Sequence, residues 1–269
     1  MKTIRNRHTG EIVLEWEGET LAGARLMAAN LFEADLTEGE LAYADLRGAD
    51  MCEVCMPNAS LRGANLRGAL FWGADLRGAD LRGADLTDTK MWGAQLQGAK
   101  LEGANLTRAN LKAVDLSGAD LSNMRMVRAE LEEMNLTGAV LTGADLTEAN
   151  LTRTLLNHAD LRYATLTNAN LREANLTGAD LRNADLTLAN LLSATLHAAK
   201  MAGTILFHTQ LNDLLNLHEV IGLEEAMPSG PCSLDRQTLK VSISHLPEEF
   251  LVGIGYTEEE IALLKQLYA

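Results

Sequence analysis

The sequence predicts an all-β solenoid, and three observations carry that prediction. A large apolar residue recurs at every fifth position from Leu21 to Leu211 without a slip. Of these 39 positions, 33 are Leu, five are Met (Met51, Met56, Met91, Met126, Met201) and one is Phe71. The residue two positions earlier is Ala at 29 of the 38 sites from 24 to 209. The stretch LRGANLRGALFWGADLRGADLRGADL, from Leu61 to Leu86, shows the whole unit, with Asp or Asn just before the large residue and Arg or Thr just after it. Helices and strands repeat their side-chain directions every 3.6 and 2.0 residues, so neither gives a period of five. A repeat this short buries a core only by stacking coil on coil. The large residue fills the centre and the small one sits where there is no room for more.

Residues 1–20 precede the repeat. Ile4 to Arg7 and Glu11 to Glu17 flank a His8-Thr9-Gly10 turn, and Ile12, Leu14 and Trp16 alternate with positions expected to be more exposed, which predicts a β-hairpin. A stack of strands exposes unpaired backbone at its end, so capping is the role expected of this hairpin. Trp16 falls five residues before Leu21, in register with the repeat.

Residues 21–215 form the tower. Its units, among them ADLRG, ANLTG and ADLTE, resemble those of the pentapeptide-repeat family, written A(D/N)LXX, over residues 21 to about 213. The resemblance implies a right-handed quadrilateral β-helix with four units, hence twenty residues, per coil. Thirty-nine units then make about ten coils, and at about 4.8 Å per coil the tower is on the order of 45 Å long. Within it, Met124 and Met134 replace the usual small residue, so the coil is expected to widen over residues 122–134.

The register decays after Leu211. Residues 216–231 read as a linker ending in Pro228-Ser229-Gly230-Pro231, where Pro and Gly disfavour regular structure. Residues 232–269 read as a helical tail. Ser233 is expected to cap a helix over 234–244, Pro247 suits the first turn of a segment ending near Gly253, and Thr257 with Glu260 forms a capping box for 258–268. Ile261, Leu264, Leu267 and Tyr268 share one face of the last helix, which calls for burial against the end of the tower, a second subunit or a partner. The tail, from Gly222-Leu223-Glu224 through SGPCSLDRQTL to LPEEFLVGIG, also resembles a module that follows pentapeptide repeats in bacterial proteins, some of which continue into a signalling domain such as TIR. That resemblance implies an adaptor version without its own effector.

The chain has 269 residues, 47% hydrophobic but only 4% aromatic, so the core is built from small and medium side chains. A net charge of -14 argues against direct binding to nucleic acid or anionic membrane. The first residues, MKTIRNRHTGE, lack an apolar signal segment, and no apolar run is long enough to span a bilayer, which reads as a soluble, cytoplasmic protein. Three cysteines are too few for a disulfide framework.

The recurring Asp and Asn are scaffold, suited to hydrogen-bonding nearby backbone at the corners, and not an acid-base pair. Cys52-Glu53-Val54-Cys55 has the spacing of a zinc half-site or redox pair, yet no second Cys or His pair lies near it, and the six histidines form no ligand motif. Phosphate loops, nucleophile elbows and dinucleotide fingerprints are missing from the sequence. The expectation is a non-enzyme with no cofactor and no metal.

Departures from the repeat carry more information. Residues twenty apart stack in columns, and one outward column reads Phe32, Cys52, Trp72, Trp92, Lys112, Glu132, Thr152, Arg172, Leu192, with Leu70 beside Trp72. The first four and Leu70 are candidate protein-binding residues, since apolar groups in line at solvent positions mark interaction sites. The alternative is that the rings cover one another or pack on the hairpin. Arg62 with Arg82, and Arg47 with Arg67, fall in further columns and are expected to pair with neighbouring acids.

Two functional classes follow. The first is a protein-interaction scaffold or adaptor that presents the aromatic stripe and the tail to a protein partner, with a homodimer through Ile261, Leu264, Leu267 and Tyr268 as one arrangement. The second is a DNA mimic that binds a type II topoisomerase such as gyrase, as some proteins of the resembled family do. The charge distribution disfavours the second: residues 21–215 are net -7, while residues 216–269 carry -6 in a fifth of the length.

Overall fold

The computed structural model describes residues 2–268. Strand β1 (Lys2–Arg5) pairs antiparallel with β2 (Ile12–Trp16), Lys2 opposite Trp16 and Ile4 opposite Leu14. The turn is closed by Asn6, whose side-chain oxygen accepts the N–H groups of His8 and Thr9 at 2.8 and 2.9 Å. The hairpin lies along the lower edge of the first coil. Asp35 N–H donates to the Arg5 carbonyl and Arg7 N–H to the Glu33 carbonyl, so backbone that would otherwise face nothing is paired. Val13, Leu14 and Trp16 pack, partly buried, on the core.

From Leu21 onward the backbone turns at each pentapeptide, and the fivefold pattern sets both its inside and its corners. The central residues are buried throughout, Leu31, Met51, Phe71 and Leu161 completely, and the Ala residues two places before them are buried with few exceptions. The residue two places after each centre takes a left-handed backbone, as at Gly73 (φ 65°) and Tyr43 (φ 58°). Glycine suits that corner because it has no Cβ to strain. Consecutive coils are joined by isolated parallel bridges twenty residues apart, such as Ser60 to Asp80. Leu61 N–H donates to the Asp80 carbonyl at 2.8 Å, and Asp80 N–H to the Ala59 carbonyl at 2.9 Å.

One stretch departs from this ladder. Between residues 93–103 and residues 112–122 there is no backbone hydrogen bond, and the bridges due at Gln95 and Lys100 are missing. A cleft of about 170 Å³ opens there, lined by Leu96, Gly98, Ala99, Leu116 and Ala119 among others. The irregularity expected at 122–134 therefore lies one coil lower. Met124 and Met134 are buried, and the ladder above them is intact, with Asp145 N–H on the Met124 carbonyl at 2.9 Å. The coil above the cleft brings Val114 and Met124 over Ala94 and Ala104, where most coils stack Ala on Ala. The ladder resumes beside Met124, where Asn105 bridges Arg125 and Leu106 N–H donates to the Arg125 carbonyl at 2.8 Å.

Residues 216–231, expected as a linker, instead bond to the coil below. Lys200 bridges Ile221, β3 (Ile205–Leu206) pairs in parallel with β4 (Met227–Pro228), and Gln210 bridges Ser233, so the offset grows from twenty to twenty-one, twenty-two and twenty-three. The prolines fit because the ladder uses what they keep: the Pro231 carbonyl accepts His208 N–H at 3.0 Å. With Ser233 engaged there, Asp235 caps helix α1 (Arg236–Ser242), accepting Thr238 N–H at 2.9 Å, in place of the expected Ser233.

Helices α2 (Glu248–Gly253) and α3 (Glu258–Tyr268) complete the tail. Thr257 N–H donates to Glu260 Oε2 at 2.8 Å and Glu260 N–H to Thr257 Oγ1 at 3.2 Å, the reciprocal capping pair read from the sequence. Leu239, Ile243, Phe250, Leu251 and Ile261 are buried together with Leu214, Leu217 and Leu223 of the last coil. The tail thus packs on its own tower. Leu264 and Tyr268 join that contact partly buried, but Leu267 does not: it is 67% exposed on the outer side of α3. An inward stripe of Ile261, Leu264 and Tyr268 is complete at helical spacing, and Leu267 lies beyond its edge.

Candidate functional site

The corner geometry points the residue just after each central one away from the core. It therefore turns Phe71 inward, fully buried, and Trp72 outward at 47% exposure. Trp92, one coil above, is 57% exposed and Phe32, two coils below, 42%. Cys52 between them is partly buried. Leu70 is partly buried as well, in a bridged column running from Asp50 through Leu70 to Lys90. Inter-coil bonds hold the stripe in register, with Glu53 N–H on the Trp72 carbonyl at 2.7 Å and Gly73 N–H on the Trp92 carbonyl at 3.2 Å.

The five candidate residues thus lie on one face. Phe32 also borders a hollow formed with Asn6, Glu11, Ile12 and Val13 of the hairpin, while the rings of Trp72 and Trp92 take no part in it. Ile12, 51% exposed, extends the apolar surface at this end. Its hairpin position carries no repeat register, so column reading does not reach it.

Charge surrounds the stripe unevenly. Glu53 reaches toward Arg7 at 3.4 Å and leans over Gly73, where any Cβ would meet its carboxylate. Burial pushes the Cys52 thiol up to about 11, with Asp50 adding to the shift, which favours the protonated form at neutral pH. Cys52, Cys55 and Cys232 are free thiols, and among the described residues no three His, Cys, Asp or Glu side chains gather to hold a metal.

On the other faces several arginines are neutralised in place, although Arg62, expected to pair with a neighbouring acid, has no carboxylate within salt-bridge distance among the described residues. Arg47, Arg77, Arg82, Arg162 and Arg182 each close a fork on the aspartate two residues earlier, as Arg77 does with Nε on Asp75 Oδ1 at 2.8 Å and Nη2 on Oδ2 at 2.6 Å. The same aspartates accept backbone N–H from that residue, the corner role expected of them. The forks hold the Asp80 and Asp160 carboxyls at about 2. Three further exposed apolar groups sit at corners: Tyr43 (69%), Tyr163 (61%) and Leu188 (48%) occupy left-handed positions where glycine is frequent. A bulky residue in the glycine slot is the sequence signal that identifies them.

Comparison with known proteins follows the same architecture. The family model for pentapeptide repeats matches in eight copies, over stretches running from residue 29 to residue 206. Among solved structures, HetL, a pentapeptide repeat protein involved in heterocyst differentiation regulation from the cyanobacterium Nostoc sp. strain PCC 7120, is 34% identical, with a TM-score of 0.67 over 78% of this chain and 90% of HetL. Two trypsin-treated forms of QnrB1, a plasmid-mediated fluoroquinolone resistance protein, are 20% and 21% identical, with TM-scores of 0.55 and 0.56 over 71% of this chain and 94% and 96% of theirs. At that identity the likeness to QnrB1 concerns the fold. The curated proteins contain no match.

Proposed function

The chain belongs to the pentapeptide-repeat family, whose members fold as right-handed quadrilateral β-helices, and from that premise we propose that it is a non-enzymatic scaffold or adaptor that captures a protein partner. The observation that carries the reading is the line of Phe32, Trp72 and Trp92, each more than two-fifths exposed on one face of a rigid tower. Exposed aromatic rings held by a rigid backbone lose little entropy on binding and bury a large area, which suits them as anchors. HetL is involved in regulation of a differentiation programme, and a regulatory role exerted through protein contact accords with a tower whose Asp and Arg side chains pair with one another.

The test is affinity capture from the native host with the wild-type chain and with a Trp72→Arg, Trp92→Arg double variant. The variant should keep its β-helical circular dichroism and lose the partner. Recovery of the same proteins in the same amounts by both chains would remove the stripe from the mechanism. Gyrase supercoiling with the protein titrated in tests the topoisomerase alternative, and no effect at high micromolar concentration counts against it.

A further inference from the structure

We propose that the groove between α2 and α3 is a docking site for a basic amphipathic helix of a protein partner, an inference that rests on the scaffold reading but uses a surface separate from the aromatic stripe. The groove measures about 740 Å³. Val252, Gly253, Ile261 and Ala262 give it an apolar floor, and Glu248, Glu249 and Glu258 stand around it. Val252 is half exposed at 50%.

The electrostatics choose the occupant. The single cation lining the groove, Lys265, is held by Glu248 at 2.6 Å. Glu249 and Glu258 have no cation within salt-bridge distance among the described residues. A ligand that fills the groove must therefore bring apolar side chains for the floor and cations for the rim. A second copy of this tail brings the wrong charge: it would set Glu248, Glu249, Glu258, Glu259 and Glu260 against their equivalents. The shape favours a helix, because α3, with 11 residues, is about 16 Å long and can align about three turns of a partner.

The experiment uses the full chain and a labelled synthetic peptide of roughly fourteen residues in which Leu recurs at helical spacing and Lys fills the rest. The comparison peptide has the same composition with its leucines scattered. Fluorescence anisotropy at near-physiological salt should give micromolar affinity for the amphipathic peptide and at least about tenfold weaker binding for the scattered one. Ala262→Arg, at an exposed position, and the pair Glu249→Lys with Glu258→Lys should each weaken the amphipathic peptide by about tenfold or more. Equal affinity for the two peptides, or undiminished binding by these variants, would overturn the site in favour of generic attraction to an acidic protein. A dimer mass in light scattering that Ala262→Arg returns to monomer would assign the groove to a second copy instead. Trp72→Arg with Trp92→Arg should leave peptide binding unchanged, so loss of the stripe reading and loss of this one are read separately.

Discussion

Arg162 grips Asp160 at two points, Nε on Oδ1 at 2.8 Å and Nη2 on Oδ2 at 2.6 Å, while the same Oδ1 accepts the Arg162 backbone N–H at 3.2 Å. The first of these interactions, the side-chain fork, is the main reason the Asp160 carboxyl is held at about 2, and Asp80 is held at about 2 by Arg82 in the same way. A carboxyl that titrates lower in the folded chain than in the unfolded chain adds stability above its unfolded value, near 3.9, and the contribution disappears as pH falls through the folded value. The tower should therefore keep its forks from neutral pH down to about pH 4 and lose their contribution between about pH 4 and pH 2. Thermal unfolding followed by circular dichroism across that window, with and without Asp80→Asn and Asp160→Asn, measures it. The double variant should show the shallower dependence. The arginines are exposed, so added salt should shrink the difference.

Phe71 and Trp72 are adjacent in sequence and opposite in consequence. Phe71 is fully buried in the central column, so Phe71→Ala should cost about 3–5 kcal/mol through lost transfer energy and the cavity left behind. Trp72→Arg removes a ring that is half in water and should cost no more than about 1 kcal/mol. Urea unfolding of the two variants reads the difference directly. Similar losses would mean that the Trp72 ring is packed and not presented.

Much of this is legible in the sequence, because the repeat makes position and environment the same thing. Phe32, Cys52, Trp72 and Trp92 come together by counting in twenties, and Leu70 beside Trp72 by the pentapeptide pattern. Where the register ends, counting fails. Residues 216–231 keep the ladder while adding one residue per face, so their Pro and Gly content reads as linker although their carbonyls are in use. Ser233 reads as a helix cap until its place in that ladder is known, and Leu267 reads as part of a buried face until the packing angle of α3 is known. The cleft escapes as well: Met124 and Met134 point to an irregularity over 122–134, but the coils part below them, between residues 93–103 and 112–122.

That cleft makes a kinetic prediction. The amides of Leu96, Gly98, Leu101, Gly103, Asp115 and Asp120 lack the inter-coil carbonyl that their counterparts use elsewhere, whereas Leu136, Gly138, Leu141 and Gly143 have theirs at 2.7–2.9 Å. Native-state hydrogen exchange should be at least about tenfold faster in the first group, because exchange there needs no opening of the ladder. Uniform protection across both groups would show that the coils close in solution.

The end of the register supplies a sharper test of how the ladder is completed. Leu196 N–H finds no backbone carbonyl in the coil above and donates to the side-chain oxygen of Asn216 at 3.1 Å. A side-chain carbonyl thus stands in for a backbone one where the chain leaves the repeat. Asn216→Ala removes the acceptor and leaves a donor without its partner, which should cost about 1–3 kcal/mol and loosen the coil on which the tail rests. Asn216→Asp keeps an acceptor of the same reach and should restore protection of Leu196. Exchange of the Leu196 amide and of the α1 amides separates the outcomes: both should quicken in the Ala variant and recover in the Asp variant. Slow exchange at Leu196 in all three chains would mean that some other acceptor, and not Asn216, closes the ladder.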